Sequence, residues 1–108
     1  MEKLLLTKPF TLQNGNEITE FSLDFDALAT ADFRQIRRLE AQITDGTRVN
    51  VNEFIGGLEL SDSFRVATGF LAAVKGTPGL RVEDFMKLPL KDATRLGSAA
   101  AFFFADAG

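Results

Sequence analysis

Cysteine and histidine are both missing from the 108 residues. Without a thiol the chain has no disulfide, no thiolate nucleophile and no sulfur-ligated zinc or iron–sulfur centre. Without an imidazole it loses the commonest general base near neutral pH and the commonest transition-metal ligand, so most hydrolase and metalloenzyme chemistries are closed to it. Tyrosine and tryptophan are missing as well, which leaves 11 phenylalanines as the whole aromatic content. No apolar run reaches the ~20 residues a membrane-spanning helix needs. Lys3-Leu4-Leu5-Leu6 is also too short for the apolar region of a signal peptide and is followed by no small-residue cleavage site. Positive charge is in deficit: 12 basic against 15 acidic residues give a formal net charge of -3. Such a surface as a whole repels phosphate backbones and anionic lipid. Together these absences point away from catalysis, metals, cofactors, membranes and nucleic acid, and toward the cytoplasm.

What remains is the balance of a folded domain. Hydrophobic residues make up 45% and charged residues 25%, well away from the composition of disordered chains. The length suits one domain with one core. Each phenylalanine buries ~150–250 Å², and a chain this short hides only part of its surface, so the rings either fill a Phe-rich core or leave some of their number for an interface.

The expected fold class is α+β, an N-terminal β-hairpin packed on a small bundle of three main helices plus a short helical turn. PFTLQNGNEITEFSL, from Pro9 to Leu23, alternates apolar and polar residues around Asn14-Gly15-Asn16. Asn-Gly accepts the positive φ of a hairpin turn, so residues 8–25 read as a hairpin with Phe10, Leu12, Phe21 and Leu23 on one face. The period then changes. Phe33, Ile36, Leu39 and Ile43 recur at helical spacing over 31–45, with Thr30 as cap, Asp32 against the positive dipole end and Gly46 as stop. Residues 47–60, where Val49 and Val51 alternate with asparagines before Gly56-Gly57, read as a variable loop with room for a short strand.

A second helix over 62–75, capped by Ser61 or Ser63, carries a broad apolar surface (Phe64, Val66, Ala67, Phe70, Leu71, Ala73, Val74), as suits a central helix packed on several sides. Gly76-Thr77-Pro78-Gly79 ends it. A short helix over 81–87 follows, then a last helix over 89–104 with Pro89 in its first turn and a stripe of Leu90, Ala93, Leu96 or Gly97, Ala100 and Phe103 or Phe104.

Four groups carry candidate chemistry. Asp24 and Asp26 offer oxygen to a hard cation but form only a fragment of a cage. Glu83, Asp84 and Asp92 could pair as acid and base, yet all stand at helix starts, where carboxylates are ordinary dipole partners. Arg34, Arg37 and Arg38 put positive charge on one helix, with Arg48 a candidate to join them, and a solvated helix face explains them without nucleic acid. Gly56-Gly57 and Gly76-x-x-Gly79 match no nucleotide-binding loop. The most unusual feature is Ala99-Ala100-Ala101-Phe102-Phe103-Phe104. Three adjacent rings on a helix span about 200° of arc, more than one packing face covers, so either at least one points outward as an anchor for a partner or the last turn folds back over the hairpin.

The order of elements resembles the tail assembly chaperones of tailed bacteriophages. The residues that carry the resemblance are PFTLQNGNEITEFSL, Thr30-Ala31-Asp32, Leu60 to Ala67, and above all VEDFMKLPLKDA from Val82 to Ala93. It implies a protein that does no covalent chemistry, binds the long tape measure protein in the host cytoplasm and keeps it soluble while tail tube subunits polymerise, and is absent from the mature virion. Tail tube subunits and further copies of the chain are additional expected partners. The resemblance also implies a longer frameshifted product, with the Phe102 to Phe104 codons as a slippery run. The residues expected to touch a partner are Phe70, Leu96, Phe102, Phe103 and Phe104. The competing readings are a structural tail or baseplate subunit and a small nucleic-acid-binding regulator.

Overall fold

Alternation around Asn14-Gly15-Asn16 produces the expected hairpin, in a computed structural model that describes residues 2–44, 53–55, 58–60 and 62–107. Strands β1 (Glu2–Thr11) and β2 (Glu17–Leu23) run antiparallel, and Gly15 takes φ +89° in the turn. That conformation is strained for any residue with a Cβ, which is why glycine stands there. Phe10, Leu12, Phe21 and Leu23 are all buried, as the period of two requires.

β1 begins at Glu2, six residues before the expected start at 8. Leu4 pairs with Phe21 and turns inward, while Leu5 pairs with Glu20 and is exposed. Between Leu5 and Phe10 the register slips: Leu6, Thr7, Lys8 and Pro9 stand opposite the single residue Thr19. Proline has no N–H to give a ladder, so a bulge is where it does least harm. The hairpin also ends early, because Phe25 opens a 3₁₀ turn (Phe25–Ala27) instead of extending β2.

Helix α1 (Phe33–Thr44) follows a 3₁₀ turn over Thr30–Asp32. Thr30 is not its cap. Ala29 takes that position, and Asp32 reaches back to accept the Ala29 N–H at 2.8 Å. Within α1, Ile36 and Leu39 are buried, but Phe33 and Ile43 at the two ends are partly exposed. The expected stop at Gly46, the 47–52 segment, Gly56-Gly57 and the Ser61 cap lie outside the described residues. Inside the expected loop, β3 (Glu53–Ile55) and β4 (Leu58–Leu60) form a second antiparallel hairpin.

Helix α2 (Asp62–Gly76) is the centre of the fold, touching β2, α1 and α3 (Leu90–Ala107). Ser63 is the second residue of α2 and not its cap, and its hydroxyl donates to Glu40. Gly69 lets the backbones of α2 and α3 approach: a Cβ there would lie 2.8 Å from the Leu96 carbonyl carbon. After α2, Gly79 turns the chain at φ +84° beside Leu12 and Asn14. The Thr77 hydroxyl accepts the Ser22 N–H at 2.9 Å and donates to the Ser22 carbonyl at 3.2 Å, which pins the end of α2 to β2. A 3₁₀ segment (Val82–Lys87) occupies the place of the expected short helix. Pro89 supplies the first acceptor of α3, taking the Ala93 N–H at 3.0 Å.

Phenylalanines organise the core in two chains of ring contacts. Phe10, Phe21, Phe70 and Phe85 form the inner one, with centroids 5.8, 6.4 and 4.8 Å apart. Phe25, Phe103, Phe104, Phe64 and Phe33 form an outer one, at 4.9, 5.4, 6.2 and 5.8 Å, and the Arg37 guanidinium lies over both Phe33 and Phe64.

Candidate partner-binding groove

Three helical elements meet imperfectly at one end of the molecule. The last turn of α1 brings Ile43 and Thr44, the first turn of α2 brings Asp62, Ser63 and Val66, and the first turn of α3 brings Leu90, Ala93 and Thr94. The 3₁₀ segment and the residue after it close the floor with Phe85, Met86 and Leu88. A six-residue 3₁₀ segment is too short to cover so much apolar surface, and a groove of about 510 Å³ remains. Ile43 is 43% exposed, Met86 60% and Leu90 80%. These are three of the six large apolar side chains that face solvent among the described residues, and all three line this groove. Their clustering, not their number, is the signal, because isolated exposed apolar residues are ordinary.

The groove continues along the seam between α2 and α3. A second hollow shares Asp62, Val66 and Thr94 with it and runs past Gly97, Ser98 and Ala101. Small residues there leave room for another backbone. From Leu90 to Ala101 is eleven residues of helix, about 16 Å, or three turns. The Asp62 carboxylate at its edge is paired with Arg65, so the lining offers shape and apolar surface more than charge.

The residues expected to bind a partner are divided by the structure. Phe70 and Leu96 are fully buried and contribute to the core, because α2 is enclosed by β2 and α3 together. Phe103 stacks on Phe25 with ring planes 14° apart, and Phe104 tilts against Phe64. Phe102 alone of the three faces solvent, 77% exposed. Leu90, expected in the inward stripe, is the most exposed large apolar side chain among the described residues. Ile43, Met86, Leu88 and Leu90 were missed as a group; the clue in the sequence is the run Met86-Lys87-Leu88-Pro89-Leu90, which holds more apolar side chains than a turn can bury.

The charged candidates are engaged elsewhere. Asp84 and Asp92 are both fully buried. Asp84 accepts the Arg81 N–H at 3.1 Å and lies 2.9 Å from the Lys87 ammonium. Asp92 accepts from Thr7 and from Arg95, so neither faces a cleft as an acid or base. Arg37 is held by Glu40 at 2.7 Å, while Arg34 and Arg38 are exposed on α1 and Arg48 lies outside the described residues. Among the described residues no group of three or more acids is placed to hold a metal, Asp24 and Asp26 included, and no helix is long and apolar enough to cross a membrane. Asp32 has its carboxyl held below the usual range, first of all by the Ala29 N–H; burial opposes this, and Lys75 at 3.2 Å lowers it further. It stabilises the entry to α1 and stands apart from the groove lining. Compared with family models, curated proteins and solved structures, the chain matches none.

Proposed function

We propose that this chain is a non-catalytic holding protein, a tail assembly chaperone, that lays an amphipathic helical segment of the tape measure protein in the groove and its extension along α2 and α3. The observation that carries the reading is the convergence of Ile43, Met86 and Leu90 on one apolar groove beside a seam of small residues. An amphipathic helix anchors itself through side chains at i, i+3, i+4 and i+7, and three turns of it match the length of this trough. A long helical client in water needs its apolar stripe covered until it is packed. Many weak grips of this kind, one per chaperone copy, cover a long stripe without fixing it permanently. The role places the protein in the cytoplasm of the bacterial host, with tail tube subunits as the proteins that later displace it.

Co-expression with the neighbouring tape measure gene tests this. The client should be soluble with the wild-type chain and should precipitate with Met86→Asp/Leu90→Asp, two substitutions at exposed positions. A client equally soluble with either chain, or insoluble with both, rejects the reading. Mass spectrometry of purified particles separates it from a structural tail or baseplate subunit, since a chaperone is missing from the particle.

A further inference from the structure

The groove and its extension form one trough, and charged groups along it neutralise one another except at one end. On the α2 side Asp62 is paired with Arg65. Beside the floor Lys87 is held between the buried Asp84 carboxylate at 2.9 Å and the Thr11 carbonyl at 3.0 Å. On α3, Lys91, Thr94 and Ser98 follow one another at spacings of three and four, so they form a single row on the helix, and Thr94 and Ser98 line the trough. The Thr94 hydroxyl donates to the Lys91 carbonyl at 2.8 Å and the Ser98 hydroxyl to the Thr94 carbonyl at 3.3 Å, so both are satisfied within α3. Lys91 itself is exposed, and its ammonium has no partner among the described residues. It follows the lining residue Leu90 in the first turn of α3, where the positive end of the helix dipole adds to its charge.

A helix lying in the trough beside α3 can point either way, and the two ways differ in energy. Antiparallel to α3, it brings to Lys91 the negative end of its own dipole and any carboxylate in its last turn. Parallel to α3, it brings the positive end instead. Away from Lys91 a carboxylate meets a chain whose formal net charge is -3, so the position of an acidic residue in the client matters as much as its presence. We propose that the trough favours one direction of its client helix, antiparallel to α3, and selects amphipathic segments whose apolar stripe ends C-terminally in a Glu or Asp placed over Lys91. Apolar contact supplies the affinity, and Lys91 supplies direction and choice. The inference rests on the reading of the trough as the dock for an amphipathic helix, but not on the identity of the client.

Fluorescein-labelled model peptides of about 18 residues, long enough to hold a helix, test it by anisotropy against the purified full chain. Three peptides share one stripe of leucines at i, i+3, i+4 and i+7: the first has two glutamates in its last turn, the second has them in its first turn, and the third has two lysines in its last turn. The first should bind about two- to fivefold more tightly than either of the others at low salt, the range of an exposed charge pair, and the difference should shrink as salt is added. Glutamates in the last turn weaken an isolated helix, so better helicity cannot explain that result. Lys91→Gln should remove the advantage of the first peptide, and Lys91→Glu should make the third the tightest. Both variants should keep the wild-type unfolding temperature, because Lys91 faces solvent. A nitroxide on the last residue of the first peptide should broaden the NMR signals of Leu90 and Lys91 and spare those of Ser98 and Ala101. Equal affinities for the three peptides, an advantage that survives Lys91→Gln, or broadening at Ser98 and Ala101 instead overturns the proposal and leaves the trough standing as a dock. Met86→Asp/Leu90→Asp should abolish binding of all three. Binding that survives those substitutions, or no binding by any peptide, removes the dock and this inference with it.

Discussion

Thr7 and Asp92, 85 residues apart, are joined by both donors of the threonine: its N–H lies 3.3 Å from Asp92 Oδ1 and its hydroxyl 3.0 Å from Oδ2. The bulge in β1 frees that N–H from the ladder, and a carboxylate from the first turn of α3 takes it. Arg95, one turn further on, pairs with Asp92 at 3.1 Å and also donates to the Leu5 carbonyl. The strand irregularity that contains Pro9 is thus the place where hairpin and last helix are fastened together.

Asp92→Ala should therefore destabilise the fold strongly. It strands a backbone donor and removes the partner of Arg95, for a loss of about 3 kcal/mol in chemical unfolding. Thr7→Val removes only the hydroxyl bond and should lose about 1 kcal/mol. Equal losses for the two would show that Asp92 is not the common acceptor.

Gly69→Ala should separate α2 from α3. The new Cβ would meet the Leu96 carbonyl carbon at 2.8 Å and Leu96 Cβ at 3.0 Å, and backbone cannot yield as a side-chain tip can. A loss of about 2–3 kcal/mol is expected, despite the better helix propensity of alanine. Gly97→Ala is the control: it meets the Val66 methyl at 3.0 Å, which can rotate away, and should change stability by less than about 1 kcal/mol.

How much of this was legible in the sequence depends on where packing ends. Phe10, Leu12, Phe21 and Leu23 could be placed because alternation fixes the face of a strand whatever it packs on. Leu4-Leu5-Leu6 could not, because three consecutive leucines carry no alternation, and only the pairing with Phe21 shows that Leu4 turns in and Leu5 out. Ile43 and Leu90 keep perfect helical spacing yet sit at helix ends, beyond the reach of a packing partner. Periodicity says which residues share a face and is silent on where the neighbouring element stops. The groove exists in that gap, so it was invisible to a reading of stripes, while Leu96, in the middle of the stripe that Leu90 begins, is sealed.

Acid should loosen the entry to α1. The Ala29 N–H and Lys75 hold the Asp32 carboxyl below the usual range, so its folded value lies under its unfolded one. The stability it contributes is fully present above the unfolded value of about 4 and is lost as pH falls through the folded value. A pH titration of the Asp32 side-chain carbon by NMR should give a midpoint below 3.8, and Asp32→Asn should remove that part of the acid-induced loss. A midpoint at or above the ordinary value would break the link to Ala29.

The last helical turn gives the sharpest contrast, because chemically identical neighbours are expected to behave differently. Adjacent helical residues point about 100° apart, so Phe102, Phe103 and Phe104 cannot all reach the same surface. Phe103 stacks on Phe25 at 4.9 Å and meets Phe104 at 5.4 Å, and Phe103→Ala should cost about 1–2 kcal/mol, less than a fully buried ring because it is only partly buried. Phe102 touches no ring among the described residues, and Phe102→Ala should leave stability within about 0.5 kcal/mol of the wild type. A solvent-facing ring that adds nothing to folding is free to serve an interface. If Phe102→Ala unfolds the protein as readily as Phe103→Ala, the ring is packed inside and does not face solvent.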